Sequence, residues 1–363
     1  MKILHISSAI SWRGGERQLT YLLEGLLDKN ISAQLVCPEH SVLSEYCKKN
    51  KLPYKTLPRA SGFSLKWAIR VARLIKEEKF DIIHAHDSKS HTVCVLSNIL
   101  CGMKVPVIIH RKVLFPVGKN LFSRYKYRHP CVKGFICVSV AVENVVKAVA
   151  PRKNFFVIND CIDIHKYDHF ESTFYIESHF PKTASHYKIG YIAALTKEKD
   201  HITFIKAAGE IHASHPDTSF FIIGDGPLKN ELTEMVGKMK LQDSVIFTGF
   251  IHPVDPVIKE LDLLLFTSVS EGYPSAILEC FLARIPVLAS NAGGIKEIVE
   301  EGVTGFSCEM KDTDCFVKKA NRILGKEVDT LKIVEAAYQK VVSNNNISVT
   351  ADKVITVYKK YLK

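Results

Sequence analysis

Short apolar runs of strand type alternate with amphipathic helical stretches along nearly the whole chain. In the first half the runs are KILHISSA, AQLVCP, DIIHAH, VPVIIHR, KGFICVS and FFVIND, and in the second half KIGYIAAL, SFFIIGDG, SVIFTGF, LDLLLFTS and IPVLASN. Strands separated by helices of roughly ten to fifteen residues form βαβ units and therefore parallel sheets. The pattern predicts an α/β protein with two Rossmann-like, doubly wound domains.

The length of 363 residues also favours two domains, because a single hydrophobic core stops growing at about 250–300 residues. The least regular segment covers residues 167–187, where we expect the linker. The predicted domains are residues 1–168 and 169–343, followed by an amphipathic helix within residues 344–363.

Composition and patterning indicate a cytoplasmic protein. The longest apolar runs, such as LDLLLFTSV at 261–269, fall far short of the roughly 20 residues that a membrane span needs. The first residues read as a strand and lack the apolar core of a secretory signal. The ten cysteines form no CxxC pair, so we expect buried free thiols in a reducing compartment and no zinc site.

Charge is distributed unevenly between the two halves. Residues 1–168 contain 27 Lys and Arg against 13 Asp and Glu, a net charge of +14, whereas the remainder has 22 against 25, a net charge of −3. A basic half of this kind suits a negatively charged partner, either an anionic membrane surface or nucleic acid.

Ligands of open parallel sheets bind beyond the carboxyl ends of the strands, and two such domains facing each other would form a cleft. After the first strand, Gly14 and Gly15 open a helix, where they serve either as a flexible turn or to let backbone N–H groups approach an anion or sugar. His110 and Arg111 end a later strand; a histidine there can bond a sugar hydroxyl and an arginine can attract phosphate. A hydrogen-bonded histidine at a strand end is the alternative.

The DIIHAH run ends with His84 and His86, and His91 follows five residues later. Residues 84 and 86 share one face of a strand, but the sequence offers no evident third and fourth metal ligand. We therefore expect no metal at this position.

Three motifs of the second half also follow strands or precede helices. Lys199 lies in ALTKEKDH and is either a solvated lysine or a point charge that binds phosphate. Gly224 and Gly226 in GDGP permit a tight turn before a helix. The DTD at 312–314 resembles a metal-binding motif, but we predict that Asp312 or Asp314 caps a helix instead.

The segment SEGYPSAILE, residues 270–279, follows a fully apolar run and carries two glutamates eight positions apart. Pro274 suits the first helical position. Glu271 would lie in the loop, and Glu279 more than a turn into the helix, where a helix terminus no longer stabilises a carboxylate. The pair predicts a ligand with hydroxyls at both ends and phosphate in the middle, such as a nucleotide sugar: ribose at Glu279, sugar at Glu271 and pyrophosphate at the N–H groups of residues 273–276.

These motifs together resemble the retaining GT-B glycosyltransferases of family 4. The resemblance rests on E-x7-E at Glu271 and Glu279, the glycine pair 14–15, GDGP at 224–227 and GGIKEIVEEGVTGF at 293–306, and it covers nearly the whole chain. It implies an N-terminal acceptor domain, a C-terminal donor domain and a final helix that crosses back to the first domain.

The resemblance also implies residue roles. Glu271 would contact the transferred sugar, Lys199 would neutralise the diphosphate and His110 would lie near the reacting carbon. Family members pair that lysine with an arginine where this chain has Ala194, so Arg111 or Arg13 becomes a candidate for the missing charge. The implied donor-binding residues are Gly15, Gly224, Gly272, Tyr273, Pro274, Ser275, Ala276 and Glu279, with Gly14, Arg13 and Arg111 on the acceptor or phosphate side.

The implied reaction is sugar transfer with retention, without metal or other cofactor, to a glycan or lipid-linked acceptor in bacterial surface polysaccharide or lipopolysaccharide synthesis. Residues 110–134 mix basic and aromatic side chains, which suits an interfacial helix on the inner face of the cytoplasmic membrane. A solvated basic face is the alternative. The basic residues are Lys119, Arg124, Lys126, Arg128 and Lys133, and the apolar ones are Phe115, Leu121, Phe122, Tyr125 and Tyr127.

Two other functions remain open. A nucleotide-sugar 2-epimerase on the same scaffold would bind the same donor. A basic nucleic-acid-binding protein would need stacking aromatics on an exposed sheet or a recognition helix, and the sequence offers neither, so we expect no nucleic acid partner.

Overall fold

The structure, a computed structural model, describes residues 1–58, 65–118, 120–167, 174–183 and 187–362. These residues form two compact units, one of Met1–Cys161 with Ile347–Lys363 and one of Ile162–Asn346. Each unit contains a parallel sheet with helices connecting its strands. The prediction of two doubly wound α/β domains is confirmed.

The first unit contains a seven-stranded parallel sheet. Its strands are β1 (Lys2–Ile6), β2 (Ser32–Pro38), β3 (Tyr54–Leu57), β4 (Ile82–Ala85), β5 (Val107–Arg111), β6 (Val132–Cys137) and β7 (Asn154–Val157). Its helices are α1 (Gly14–Asp28), α2 (Val42–Lys49), α3 (Leu65–Glu78), α4 (Ser88–Cys101), α5 (Leu121–Arg128), α6 (Val140–Lys147) and, from the end of the chain, α15 (Ile347–Lys359). The strand order is β3-β2-β1-β4-β5-β6-β7, so the direction of winding reverses between β1 and β4.

The second unit contains a six-stranded parallel sheet. Its strands are β8 (Tyr187–Ile192), β9 (Thr218–Ile223), β10 (Val245–Gly249), β11 (Leu263–Phe266), β12 (Val287–Ser290) and β13 (Phe306–Cys308). Its helices are α7 (Tyr175–His179), α8 (His201–Ser214), α9 (Lys229–Lys238), α10 (Asp255–Lys259), α11 (Ser275–Leu282), α12 (Ile295–Ile298), α13 (Thr313–Leu324) and α14 (Thr330–Asn344), with short 3-10 helices at Ile164–Tyr167, Pro181–Thr183 and Lys197–Lys199. The order β10-β9-β8-β11-β12-β13 reverses between β8 and β11.

Helix α15 packs on α1 in the core of the first unit. Val354 and Tyr358 are fully buried there together with Leu26 of α1. Gly25 lets the two helices approach, since a Cβ at this position would lie 2.7 Å from Cγ2 of Ile347. Each large apolar side chain buried in this way stabilises the fold by about 1.5–3 kcal/mol, so the C-terminal helix is part of the core of this unit.

Two strands were missed by the sequence analysis, β3 and β13. Both lie at sheet edges, and they contain four and three residues. Edge strands this short carry too few residues for an apolar run to stand out from the loops around them.

The predicted linker at residues 167–187 lies partly outside the described residues. Where it is described it contains α7, whose Ile176 N–H donates to the Glu260 carboxylate at 2.9 Å within the second unit. The units divide between Cys161 and Ile162, and the returning segment begins at Ile347.

The expectation that all ten cysteines are free thiols is wrong for one pair. Cys308 in β13 and Cys315 in α13 form a disulfide with a Cα–Cα distance of 5.9 Å. The helix folds back onto the edge strand, which brings the two thiols together although their spacing in sequence gives no sign of it. The other eight cysteines are free.

Among the described residues, no helix has both the length and the apolar content required to cross a lipid bilayer.

Candidate functional site

Lys199 and Glu271 lie beyond the carboxyl ends of β8 and β11, the two strands between which the second sheet reverses its winding. In open parallel sheets this reversal is the usual ligand position, because the loops on its two sides leave a crevice. The 3-10 turn Lys197–Lys199 ends at Asp200, which adopts a left-handed conformation with φ 49° and caps α8. Local capping therefore fixes the loop that carries Lys199.

The two side chains form an ion pair, with 2.7 Å between Lys199 Nζ and Glu271 Oε1. The Glu271 side chain is 8% exposed and that of Lys199 21% exposed. An ammonium group has three donors, so Lys199 can hold Glu271 and still donate to a phosphate oxygen. The prediction treated these residues as contacts to different parts of a ligand; the structure adds that they contact each other.

Two residues that the sequence analysis missed, Ser268 and Tyr191, form hydrogen bonds around this ion pair. Ser268 donates from Oγ to Glu271 Oε1 at 2.7 Å, and its Oγ lies 3.1 Å from the hydroxyl of Tyr191. That tyrosine hydroxyl also donates to the backbone carbonyl of Lys199. A tyrosine inside an apolar strand and a serine after another strand give no distinct sequence signal, because their role depends on the neighbouring loop.

Backbone hydrogen bonds join three loops at this end of the sheet. Val269 N–H donates to the Glu198 carbonyl at 2.9 Å, and Gly294 N–H donates to the Glu271 carbonyl at 3.0 Å. The loops after β8, β11 and β12 are therefore connected around Glu271, which holds its carboxylate in a defined position.

The GDGP motif packs closely against the loop after β8, which carries Lys199. Gly224 has φ 147°, and a Cβ there would lie 2.0 Å from the carbonyl oxygen of Ala193. A Cβ at Gly226 would lie 2.6 Å from the carbonyl oxygen of Leu195. Because both contacts are to backbone, no side chain fits without displacing the loop that carries Lys199.

Helix α11 begins one residue later than predicted. Pro274 is its N-cap, with φ −73° and ψ 118° in the extended region, and Ser275 is its first residue. Glu279 is the fifth helical residue and 3% exposed, so the second carboxylate is buried more than a turn from the helix start. Tyr273, next to Gly272, accepts a hydrogen bond from Asn345 Nδ2 at 3.1 Å. Ala276 lies in the first turn, whose N–H groups favour anions.

In the first unit, the reversal between β1 and β4 is lined by four histidines. His5 and His84 are register partners in β1 and β4, His86 follows β4, and His110 lies in β5. His5 and His84 are 0% exposed, while His86 and His110 are each 8% exposed. The rings of His84 and His110 stack with centroids 5.3 Å apart. Burial lowers the pKa of each ring, that of His5 to about 3, which leaves the four imidazoles neutral at pH 7.

His91 does not belong to this group. It lies in α4, and its ring packs against Tyr127 and Phe135 at centroid distances of 5.0 and 6.2 Å. In the folded chain the histidines beside His84 and His86 are instead His5 and His110, which no sequence pattern connects to the HAH motif.

The predicted glycine pair opens α1. Arg13 is the exposed N-cap residue, and its N–H donates to Glu16 Oε2 at 2.9 Å. Lys112 Nζ donates to the Gly15 carbonyl at 2.6 Å, whereas a Cβ on Gly15 would meet only Lys112 Cδ, at 3.7 Å. The fold itself therefore tolerates a side chain at Gly15, unlike at Gly224.

The Arg111 guanidinium donates from Nη2 to the Phe115 carbonyl at 2.5 Å and so holds its own loop. Near Lys112, burial raises the pKa of Asp160 to about 6, although the charge of Lys112 opposes this shift.

In the second unit, the side chain of Ala194, at the position where family members have an arginine, is exposed and carries no charge.

Two further predictions have clear outcomes. Asp312 caps α13 by accepting from Cys315 N–H at 3.0 Å, so the capping interpretation of DTD is confirmed. The basic and aromatic segment is exposed only in part, since Lys126 and Tyr127 of α5 are 7% and 4% exposed. The Lys126 amine donates to Ser88 Oγ, at the start of α4, at 3.0 Å. Lys119 lies outside the described residues.

The chain matches two family descriptions, one for each unit. Residues 12–166 match "Glycosyltransferase Family 4" and residues 176–340 match "Glycosyl transferases group 1". Together the two matches extend over most of the sequence.

Curated relatives are similar over long stretches. A UDP-Gal:alpha-D-GlcNAc-diphosphoundecaprenol alpha-1,3-galactosyltransferase of Escherichia coli is 25% identical, covering 99% of this chain and 96% of the relative. An N-acetyl-alpha-D-glucosaminyl L-malate synthase of Bacillus anthracis is 23% identical, covering 73% and 71%.

The fold is also similar to solved structures of the GT-B type. HepE of Anabaena, crystallised in complex with UDP, superposes with a TM-score of 0.84 at 19% identity, over 99% of this chain and 100% of that one. The two family matches and this shared architecture agree with the E-x7-E and GDGP motifs of the second unit. The chain belongs to the GT-B glycosyltransferases, with a family 4 domain followed by a group 1 domain.

Proposed function

We propose that this glycosyltransferase moves a sugar from a nucleotide-sugar donor to a hydroxyl group of a glycan or lipid-linked acceptor with retention of anomeric configuration. The observation that carries the proposal is the Lys199–Glu271 ion pair at the winding reversal of the second sheet, held by Ser268 and followed by the start of α11. A cation, a buried carboxylate and a helix N-terminus at one place suit a sugar diphosphate.

In the proposed reaction the bond between the anomeric carbon and the diphosphate oxygen breaks, and the acceptor oxygen bonds the same carbon from the same face. The acceptor proton passes to the departing phosphate. Lys199 and the N–H groups of residues 273–276 stabilise the charge that develops on the leaving group, which is the electrostatic term that usually dominates catalysis. Glu271 orients the sugar, Glu279 binds the ribose, and His110 is the candidate catalytic residue of the first unit.

The acceptor proposal rests on the relatives and on the charge of the first unit. The Escherichia coli relative is named for a lipid-diphosphate-linked sugar, which supports a lipid-linked acceptor and a role in bacterial surface polysaccharide synthesis. Helix α5 and the loop before it expose apolar side chains beside Arg124, Arg128 and Lys133. The exposed apolar residues are Phe115 (53%), Leu121 (84%), Phe122 (48%) and Tyr125 (52%).

Donor binding is tested by thermal shift of the full chain against UDP, GDP, ADP and their common hexose conjugates. We expect one nucleotide series to raise the melting temperature in a concentration-dependent manner, because a ligand that binds only the folded state stabilises it. Transfer to an undecaprenyl-diphosphate sugar, followed by NMR of the product, then reports the anomeric configuration. An inverted product would contradict retention, and release of a 2-epimerised donor without acceptor would favour the epimerase.

Membrane binding is tested by sedimentation with vesicles of phosphatidylglycerol and phosphatidylcholine. We expect binding to anionic vesicles in low salt, and a roughly fivefold loss for each of Arg124→Gln and Arg128→Gln, since a basic residue at such a surface contributes about 1 kcal/mol. The matched control changes the exposed Lys229 and Lys240 of the second unit to Gln. Equal losses in both sets, or no sedimentation at low salt, would remove the membrane from the proposal.

A further inference from the structure

We propose that His5, His84 and His86, three of the four histidines in the cluster that they form with His110 in the first unit, bind one divalent transition-metal ion of the zinc class. The proposal concerns a site in the family 4 domain that the transfer reaction described above does not use. It starts from geometry: one ring nitrogen each from His5, His84 and His86 lies within 4.8 Å of the others.

The spacing is close to that of a metal site. With Zn–N distances of about 2.0–2.1 Å, two ligands of a tetrahedral ion lie about 3.3 Å apart. His5 Nδ1 and His86 Nε2 are 2.9 Å apart, and the remaining separations within 4.8 Å close with shifts below about 1 Å for each ring. The rings of His84 and His86 have centroids 4.2 Å apart and are tilted by 38° to each other. His110 stacks on His84 and lies outside the set of three whose ring nitrogens converge.

Several ring nitrogens of the cluster are buried without a hydrogen-bond partner among the described residues. They are His5 Nε2, His84 Nε2, His86 Nδ1 and both ring nitrogens of His110. A buried polar atom left unpaired destabilises the fold, because it has lost its hydrogen bonds to water. An ion bound by His5 Nδ1 and His86 Nε2 would pair one of these atoms, His84 Nε2, through its lone pair.

Tyr358 supplies the support that a metal-bound histidine usually has. Its hydroxyl lies 2.6 Å from His84 Nδ1, at the packing interface of α15 with the sheet. With its proton on Nδ1, His84 donates to Tyr358 and keeps the Nε2 lone pair for a metal, which is the typical arrangement around a ligating histidine.

Ligand chemistry and local charge limit the kind of ion. Neutral imidazoles bind Zn, Cu, Ni and Fe, whereas Mg²⁺ and Ca²⁺ require oxygen ligands. The charge of Lys112 acts on all four rings and opposes a cation. The carboxylates of Asp87, Glu16 and Asp160 act on Lys112 with the opposite sign, so the site is not surrounded by positive charge alone.

The test uses the full-length chain without a polyhistidine tag, freed of metal with EDTA and then equilibrated with Zn²⁺ or Co²⁺. We expect one bound Zn²⁺ per chain by elemental analysis, a visible absorption band of four-coordinate Co²⁺, and a higher melting temperature with Zn²⁺ but not with Mg²⁺. The double variant His5→Gln/His86→Gln should lose the Co²⁺ band and at least tenfold in Zn²⁺ affinity.

The matched control is His91→Gln, which removes another buried histidine of the same unit and should retain the site. Tyr358→Phe keeps the ring and should weaken Zn²⁺ binding about tenfold, so the proposal stays testable if the double variant does not fold. Wild-type protein that is folded yet binds less than a tenth of an equivalent, or double and control variants that bind equally, would overturn it.

Discussion

The two units share one topology and differ in what they place at the same topological point. Both sheets begin with the strand order 3-2-1-4-5-6, and in both the winding reverses between the first and fourth strands. At that point the second unit has an ion pair, Lys199 with Glu271, whereas the first unit has four histidines that burial keeps neutral. The position is set by the fold, but the chemistry is set by the residues that follow the strands.

Because one unit has an ion pair at this point and the other has neutral histidines, the two units suit different classes of ligand. A cation paired with a carboxylate, beside a helix N-terminus, provides both donors and acceptors for a sugar diphosphate. Neutral imidazoles attract neither phosphate nor a simple cation by charge, and they suit hydroxyl groups or a transition metal. The same strand order therefore carries the proposed nucleotide-sugar site in one unit and four neutral histidines in the other.

The largest expected effect comes from removing the carboxylate of the second unit. Glu271→Gln should lower kcat by about 10²–10³-fold, because the change removes a preorganised charge at the reacting sugar and frees Lys199 from its partner. Initial rates with saturating donor and a lipid-linked acceptor provide the measurement. The exposed Glu231→Gln in α9 is the control and should leave kcat unchanged. An unchanged rate in Glu271→Gln would show that the ion pair is structural only.

The glycine motifs of the two units give the next effect. Gly224→Ala should destabilise the second unit by more than about 2 kcal/mol, because φ 147° and a backbone oxygen 2.0 Å from the new Cβ both oppose it. Gly15→Ala should cost nothing and can gain up to about 1 kcal/mol, since it lies in α1 and its Cβ would make only an ordinary contact, 3.7 Å from Lys112 Cδ. Urea unfolding followed by circular dichroism measures both. Equal destabilisation would mean that the two motifs support the fold in the same way.

Taken over one pH unit, the smallest effect is a change in the pH dependence of the free energy of unfolding of the second unit. Burial, and secondarily the charge of Lys199, lowers the pKa of His201 to about 4. The folded state therefore binds fewer protons than the unfolded state between pH 6.5 and about 4, and stability is lost as pH falls through this range, by about 1.4 kcal/mol per pH unit. His201→Gln should remove that slope.

The measurement can separate the two units, because both tryptophans, Trp12 and Trp67, lie in the first unit. Tryptophan fluorescence then follows the first unit, and far-UV circular dichroism follows both. His165→Gln, at an exposed position, serves as the control and should keep the wild-type slope. A His201→Gln slope equal to that of the wild type would show that this ring titrates normally.

Much of the proposed nucleotide-sugar site was predictable from sequence because its signals are local. Glu271 and Glu279 are fixed by their spacing relative to a helix start, and Gly224 by a turn that follows an apolar strand. Ser268 and Tyr191 were not predictable in the same way. Their hydroxyls act on Glu271 and Lys199 only because β8 and β11 are neighbours in the sheet, although they are far apart in sequence.

Local patterns in the sequence were sufficient to predict the two parallel-sheet domains, the chain order of all strands except β3 and β13, and the acidic motif, because periodicity and capping act over a few residues. The contact of Lys199 with Glu271, the burial of the Lys126 amine against α4, and the packing of His5 and His110 beside the HAH motif all depend on the tertiary structure. The physical reason is sheet pairing: parallel strands place residues from distant loops side by side at one edge, and no local pattern records which strands become neighbours.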